Sequence, residues 1–243
     1  MSLWKQILNW RAAEPPFPVP WRAILEERYP AYLAMSAEDR TVFEVRLQHF
    51  VLKKNWEGAG GLEVTEEMKV LIAAAAARIA RRLPLEVYDG LESIVIYPRT
   101  FEHEEGRGAY GLAHKWGTVV LSWNAVTHGI DLPHDGNDTS IHEFAHILDF
   151  EDGVANGTPL LDDGKDYHSW GLVMGKYFAD LQNGDQMRKV MDTYGATNEA
   201  EFFAVATESF FERPNALKRV APDLFEQLCG FYRLDPTKEE EDE

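Results

Sequence analysis

The sequence predicts an α+β fold, mainly helical, with a small sheet set between two helical blocks. Three observations predict it. Apolar residues recur at helical spacing through 36–83 and again from about 138 onward. Two short β-branched runs, "LESIVIYP" at 91–98 and "TVVLSW" at 118–123, fall between those blocks. No internal repeat interrupts the order.

The chain opens with a short amphipathic stretch. Leu3, Trp4, Ile7, Leu8 and Trp10 give it an apolar side suited to docking on the rest of the molecule, with contact with a membrane surface as the alternative. Pro15, Pro16, Pro18 and Pro20 end it and form a stiff connector, so residues 1–20 read as an N-terminal segment. "MSAEDRTVFEVRLQHFVLKKNW" then reads as a helix capped by Ser36, with Val42, Phe43, Val45, Leu47, Phe50 and Val51 on its apolar side. "EGAGGLEV" is a turn with a short strand. Thr65 caps "EEMKVLIAAAAARIARRL", so rich in Ala and Leu that burial is expected.

After the strand at 91–98, "AYGLAHKWGTVVLSW" supplies one or two more strands, and "HGIDLPHDGND" reads as a loop. A helix from about 138 to 150 follows. A Gly- and Asp-rich loop leads on to helices near 168–183, 198–212 and 221–232, with Pro214 and Pro222 as boundaries. Residues 21–236 read as one domain and residues 237–243, "TKEEEDE", as an acidic disordered tail.

A chain of 243 residues can bury a substantial core. Its formal net charge of −17 argues against a nucleic-acid backbone or an anionic membrane as the main partner. The single cysteine, Cys229, rules out an internal disulfide and suits a reducing compartment. No run approaches the roughly 18–20 apolar residues of a membrane span. The opening residues lack the apolar core of a signal peptide, so a cytoplasmic location is expected.

The chemistry concentrates in "SIHEFAHILDF", residues 140–150, where His142, Glu143 and His146 form H-E-x-x-H. Helical residues four apart share a face, so both imidazoles can point at one ion. Zinc accepts imidazole nitrogen readily, and a catalytic zinc site wants three protein ligands and a water. Glu143 would not bind the metal. It would take a proton from the activated water as general base. Three fixed positions are a weak signal by themselves, and Ser140-x-x-Glu143 also has the form of a capping box. The apolar neighbours Ile141, Phe144, Ala145, Ile147 and Leu148 favour the site, because burying them leaves the histidines at a cleft.

A third ligand must come from elsewhere. Asp149 reads equally as a group orienting a ligand or as a solvated residue, and His168 as a ligand or a plain helix-start residue. Glu201 and Glu208 are stronger candidates. They lie seven apart on nearly one helix face, among Phe202, Phe203, Phe210 and Phe211, where a carboxylate needs a partner. Asn198-x-x-Glu201 also resembles a cap, and Glu208 could instead pair with an arginine or support a histidine.

"IHEFAHILDFEDG", "YGATNEAEFFAVATESFFERP" and "LCGFYRLDP", with "GLEVTEEMKVLIAAAAA" upstream, together resemble the Mlc titration factor A family of bacterial zinc metallopeptidases. The resemblance runs from about residue 20 to 236. It implies a mainly helical, zincin-like α+β metallopeptidase domain with a small mixed sheet and an H-E-x-x-H active-site helix, similar to the catalytic core of anthrax lethal factor. It makes Glu201 the third zinc ligand, a gluzincin-like set with His142 and His146. It makes Tyr194 a donor to the oxyanion of the tetrahedral intermediate, a role a phenol can fill. By the same analogy, residues 117–122 are assigned as the edge strand that pairs with an extended peptide substrate, with an ordinary interior strand as the alternative. The Gly- and Asp-containing loops 101–109 and 152–166 are expected to wall the cleft.

The resulting expectation is a zinc-dependent peptidase acting on peptide substrates, of aminopeptidase type as the family implies. The rival reading is a regulatory protein that sequesters a transcriptional repressor of the Mlc type, with peptidase activity secondary. A zinc hydrolase of a non-peptide amide is the third.

Overall fold

A computed structural model of the chain describes residues 15–102, 108–114, 116–162, 164, 166–184 and 186–240. The amphipathic stretch expected at the start of the chain lies outside these residues. The first helix, α1 (Val19–Arg28), has Pro20 in its first turn, and a one-turn helix, α2 (Pro30–Ala34), follows. Pro20 therefore starts a helix rather than closing a connector, because the missing N–H of a first-turn proline costs nothing.

The two capped helices form where the sequence places them. In α3 (Ala37–Lys53) the Ser36 hydroxyl accepts from the Asp39 N–H at 3.1 Å. In α4 (Glu66–Ile79) the Thr65 hydroxyl accepts from the Met68 N–H at 3.2 Å. The alanines at 73–77 are at most 2% exposed. Their small side chains let α1 and α3 close on the same helix.

Four strands make one mixed sheet. β1 (Asn55–Gly58), β2 (Ser93–Tyr97) and the later β6 run parallel, and β5 (Gly111–His114) returns antiparallel beside β6 (Thr118–Ser122). A two-residue ribbon, β3 (Phe101–Glu102) with β4 (Gly108–Ala109), lies apart from it. The order β1–β2–β6–β5 corrects the assignment of residues 117–122 as the substrate-facing edge. Both sides of β6 are paired within the chain, and the edge next to it is β5. Ile94, Ile96, Val119 and Leu121 fill the buried face of the two central strands.

The segment after β6 is a second correction. α5 (Trp123–Asp131) takes in the first residues of the stretch read as loop, burying Ala125, Val126 and Ile130. The motif helix is α6 (Thr139–Asp149), held in the core by Phe144, whose ring meets that of Phe50 edge-on at 5.4 Å. After it come α7 (Asp166–Asn183), α8 (Glu199–Glu212), α9 (Pro214–Val220) and α10 (Pro222–Tyr232). Pro214 and Pro222 each open a helix. The run expected as a disordered tail starts with a helical turn, α11 (Thr237–Glu240), in which Thr237 is buried. Its last three residues lie outside the described ones.

Candidate metal centre

The cap of α6 is Asp138, not Ser140. Asp138 Oδ1 accepts from the N–H groups of Ser140 and Ile141 at 2.8 and 3.0 Å, so the capping-box reading of Glu143 falls away. Glu143 is instead buried under β5, against Gly111. His142 and His146 leave the helix on one side, as their spacing requires.

α8 packs along α6 and brings two carboxylates to the histidines. Glu201 Oε2 lies 3.0 Å from His142 Nε2 and 3.3 Å from His146 Nε2, and the two Nε2 atoms are 3.1 Å apart. Ligand-type atoms of His142, His146 and Glu201 all fall within 4.8 Å of one another. Glu208, two turns further on, reaches the other side of His142, with Oε1 2.7 Å from Nδ1. Its Oε2 accepts from the Asp138 N–H at 2.7 Å.

This arrangement has an electrostatic reading. When His142 Nδ1–H donates to Glu208, the neutral ring keeps its lone pair on Nε2. That lone pair then faces a carboxylate oxygen and a second imidazole nitrogen at contact distance. With the ring neutral, three electron-rich atoms converge there, and a cation between them, a proton or a metal ion, relieves the repulsion. The donor set, two imidazole nitrogens and a carboxylate oxygen, suits a divalent transition metal.

The acidities follow the same geometry. Burial opposes charge on His142, but the carboxylates of Glu208 and Glu201 outweigh it and raise the ring's pKa well above 6.5. Burial likewise opposes ionisation of Glu201, yet the two imidazoles hold its carboxyl far below the usual range. Burial raises Glu143 and Glu208 above the ordinary carboxylate value.

Tyr194 stands in a short 3-10 turn (Thr193–Ala196) capped by Asp192, which accepts from the Tyr194 N–H at 2.7 Å. Its side chain is 54% exposed, and its hydroxyl meets Glu201 Oε1 at 3.3 Å. Asn198 caps α8 by accepting from the Glu201 N–H at 3.0 Å, so Glu201 keeps its capping position while its side chain joins the histidines.

Asp149 is not the solvated residue of one sequence reading. It is fully buried and accepts from the N–H groups of Gly157 and Thr158 at 3.0 and 2.8 Å, anchoring the loop after α6. Gly157 has φ +71, and a Cβ there would lie 2.2 Å from the Glu199 carbonyl oxygen, so only glycine fits this crossing. His168 sits exposed in the first turn of α7, outside the converging set.

A cleft of about 330 Å³ opens above these groups, walled by β5, α6, Phe150, Ala155, Tyr194 and the start of α8. Sequence reasoning found both histidines and both glutamates but not Gly111. A lone glycine in "YGLAH" gives no signal of the carboxylate that rests on it.

Residues 4–233 match the family described as glucose-regulated metallo-peptidase M90, and the chain belongs to that family of metallopeptidases. It is similar to an uncharacterized protein of Synechocystis sp., 33% identical over 94% of this chain and 90% of the relative. It is also similar to proteins named Mlc titration factor A. The one from Yersinia enterocolitica is 28% identical over 93% of this chain and 90% of its own length. The one from Serratia proteamaculans is 33% identical over 72% of each. Among the described residues, no helix is long and apolar enough to cross a membrane.

Proposed function

We propose that the chain is a zinc-dependent peptidase in which His142, His146 and Glu201 hold the ion. The observation that carries this is the convergence of three ligand-type atoms, two imidazole nitrogens and a carboxylate oxygen, within 4.8 Å of one another. Membership of a metallopeptidase family supports it. A zinc ion held there supplies Lewis acidity and lowers the pKa of water to about 7.

The chain's own residues supply the rest. Glu143, with its acidity weakened by burial, takes a proton from the attacking water. The water oxygen adds to the carbonyl carbon, the C–N bond breaks, and Glu143 returns the proton to the leaving amine. Tyr194, exposed on the cleft wall, donates its hydroxyl to the oxyanion. β5 borders the cleft as an edge strand, which suits strand addition by an extended substrate backbone. Glu199 is an exposed residue lining the same cleft outside the ligand set, and a carboxylate there would suit a free α-ammonium group, which favours aminopeptidase action. A cytoplasmic location belongs to the same proposal and rests on the lone cysteine.

The experiment is metal content and hydrolysis of amino-acid anilides by wild type, Glu143→Gln and Glu201→Ala. About one zinc in wild type, retained in Glu143→Gln without hydrolysis and lost in Glu201→Ala, is the expected result. Full hydrolysis by Glu143→Gln would refute the general-base role. N-acetylated anilides cleaved equally well would refute the aminopeptidase assignment.

A second reading is favoured by the name of the relatives: the chain titrates a repressor of the Mlc type, with hydrolysis secondary. Co-precipitation of such a repressor, equal for wild type and Glu143→Gln, is its expected signature.

A further inference from the structure

A second cavity, of about 390 Å³, lies behind the N-terminus of α6. Its volume falls in the range of small-molecule sites, about 300–1,000 Å³. Tyr29, Pro133, Phe211 and Pro214 give it apolar walls. Asp138 and Glu212, 5% and 3% exposed, also line it, together with Arg78 and His134.

The charges there do not balance. Glu212 Oε1 accepts from Arg78 at 2.6 Å, and Oε2 from the His134 N–H at 2.8 Å. Arg78 spends its other arm on the Phe211 carbonyl at 2.7 Å. The bonds to the Asp138 side chain both fall on Oδ1, and among the described residues no donor meets Oδ2. His134 stands exposed at the rim with Nδ1 3.1 Å from the Glu212 carbonyl oxygen. Two buried carboxylates, Asp138 and Glu212, thus share one guanidinium, that of Arg78.

We propose that this cavity is a second binding site for a small organic cation, whose ammonium or guanidinium group pairs with Asp138 while its apolar body lies against Tyr29 and Phe211. A cation desolvated beside a buried, otherwise unbalanced carboxylate gains more than it would at a surface. The site is separate from the cleft, yet hydrogen-bonded to it. The Asp138 N–H donates to Glu208, and Glu208 meets His142 Nδ1.

The test is calorimetric titration of n-pentylammonium and of n-pentanol, its neutral counterpart, into the metal-loaded protein at pH 8. A primary ammonium is still protonated there. Asp138→Asn keeps the helix cap, since Asn caps as well as Asp, and removes only the charge. Ala34→Phe adds bulk from a lining position that carries no polar side chain. The expected result is saturable binding of the ammonium, at least about tenfold tighter than the alcohol and weakened at least about tenfold by either variant. If Asp138→Asn does not fold, Ala34→Phe decides alone. No saturable binding, or equal affinity for ammonium and alcohol, overturns the proposal. Binding undiminished in the folded variants also overturns it, because the amine would then sit in the metal cleft.

Discussion

Gly111 rests directly on Glu143: a Cβ at Gly111 would lie 2.4 Å from Glu143 Oε1 and 2.6 Å from its Cγ. The edge strand thus lies on the carboxylate with no room for one methyl group. Gly111→Ala is expected to push the carboxylate aside and cut turnover at least about tenfold while metal content holds. The melting temperature should barely fall, because alanine suits a strand backbone at least as well as glycine. Turnover, elemental analysis and a thermal melt check this together. Wild-type turnover would mean that the contact does not position Glu143.

Glu208→Gln tests the grip on His142 from its far side. An amide oxygen still accepts from Nδ1–H but carries no charge to make the ring a better donor. Metal affinity is expected to fall about 10–100-fold, measured by competition with a chelator. Unchanged affinity would reduce Glu208 to a helix-packing group.

Tyr194→Phe removes one hydroxyl from an exposed ring. Turnover is expected to drop about 10²–10³-fold, with KM changing far less, because an oxyanion exists only after attack. Steady-state kinetics separate the two. An equal rise in KM with turnover intact would instead make Tyr194 a substrate-binding group.

Asp138 gives a pH signature. Its folded pKa of about 7 stands above the ordinary 3.8, so the native state holds a proton that the unfolded chain gives up. Stability from this group is complete below pH 3.8 and is lost as pH rises through about 7. Asp138→Asn abolishes the titration and keeps the cap. The melting temperature of the variant minus that of wild type should therefore rise from pH 5 to pH 8. A flat difference would contradict the buried, unbalanced state of this carboxylate.

Much of this was readable in sequence where the cause is local. Ser36 and Thr65 cap the helices they precede, and β-branched runs became β2 and β6. The histidine spacing placed two imidazoles together because helix geometry alone decides it. What failed was non-local. The pattern of β6 is the same whether its neighbours are strands or solvent, so sheet order could not be read from it. α5 carries few large apolar residues and a glycine, and its helicity comes from packing on α6 and β6. Asp138 and Ser140 are both good caps two residues apart, and only the folded backbone chose between them. Glu208 showed itself as a carboxylate needing a partner, but which partner depended on how α8 lies against α6.

The two glutamates of α8 flank one imidazole, Glu208 bonded at Nδ1 and Glu201 lying 3.0 Å from Nε2. A ring anchored at Nδ1 cannot flip without breaking that bond, and its rotational freedom is given up during folding rather than on ligand capture. The receptor is therefore shaped before any ion arrives. Refilling a stripped site becomes a matter of diffusion down the cleft, with no slow rearrangement of the chain to wait for.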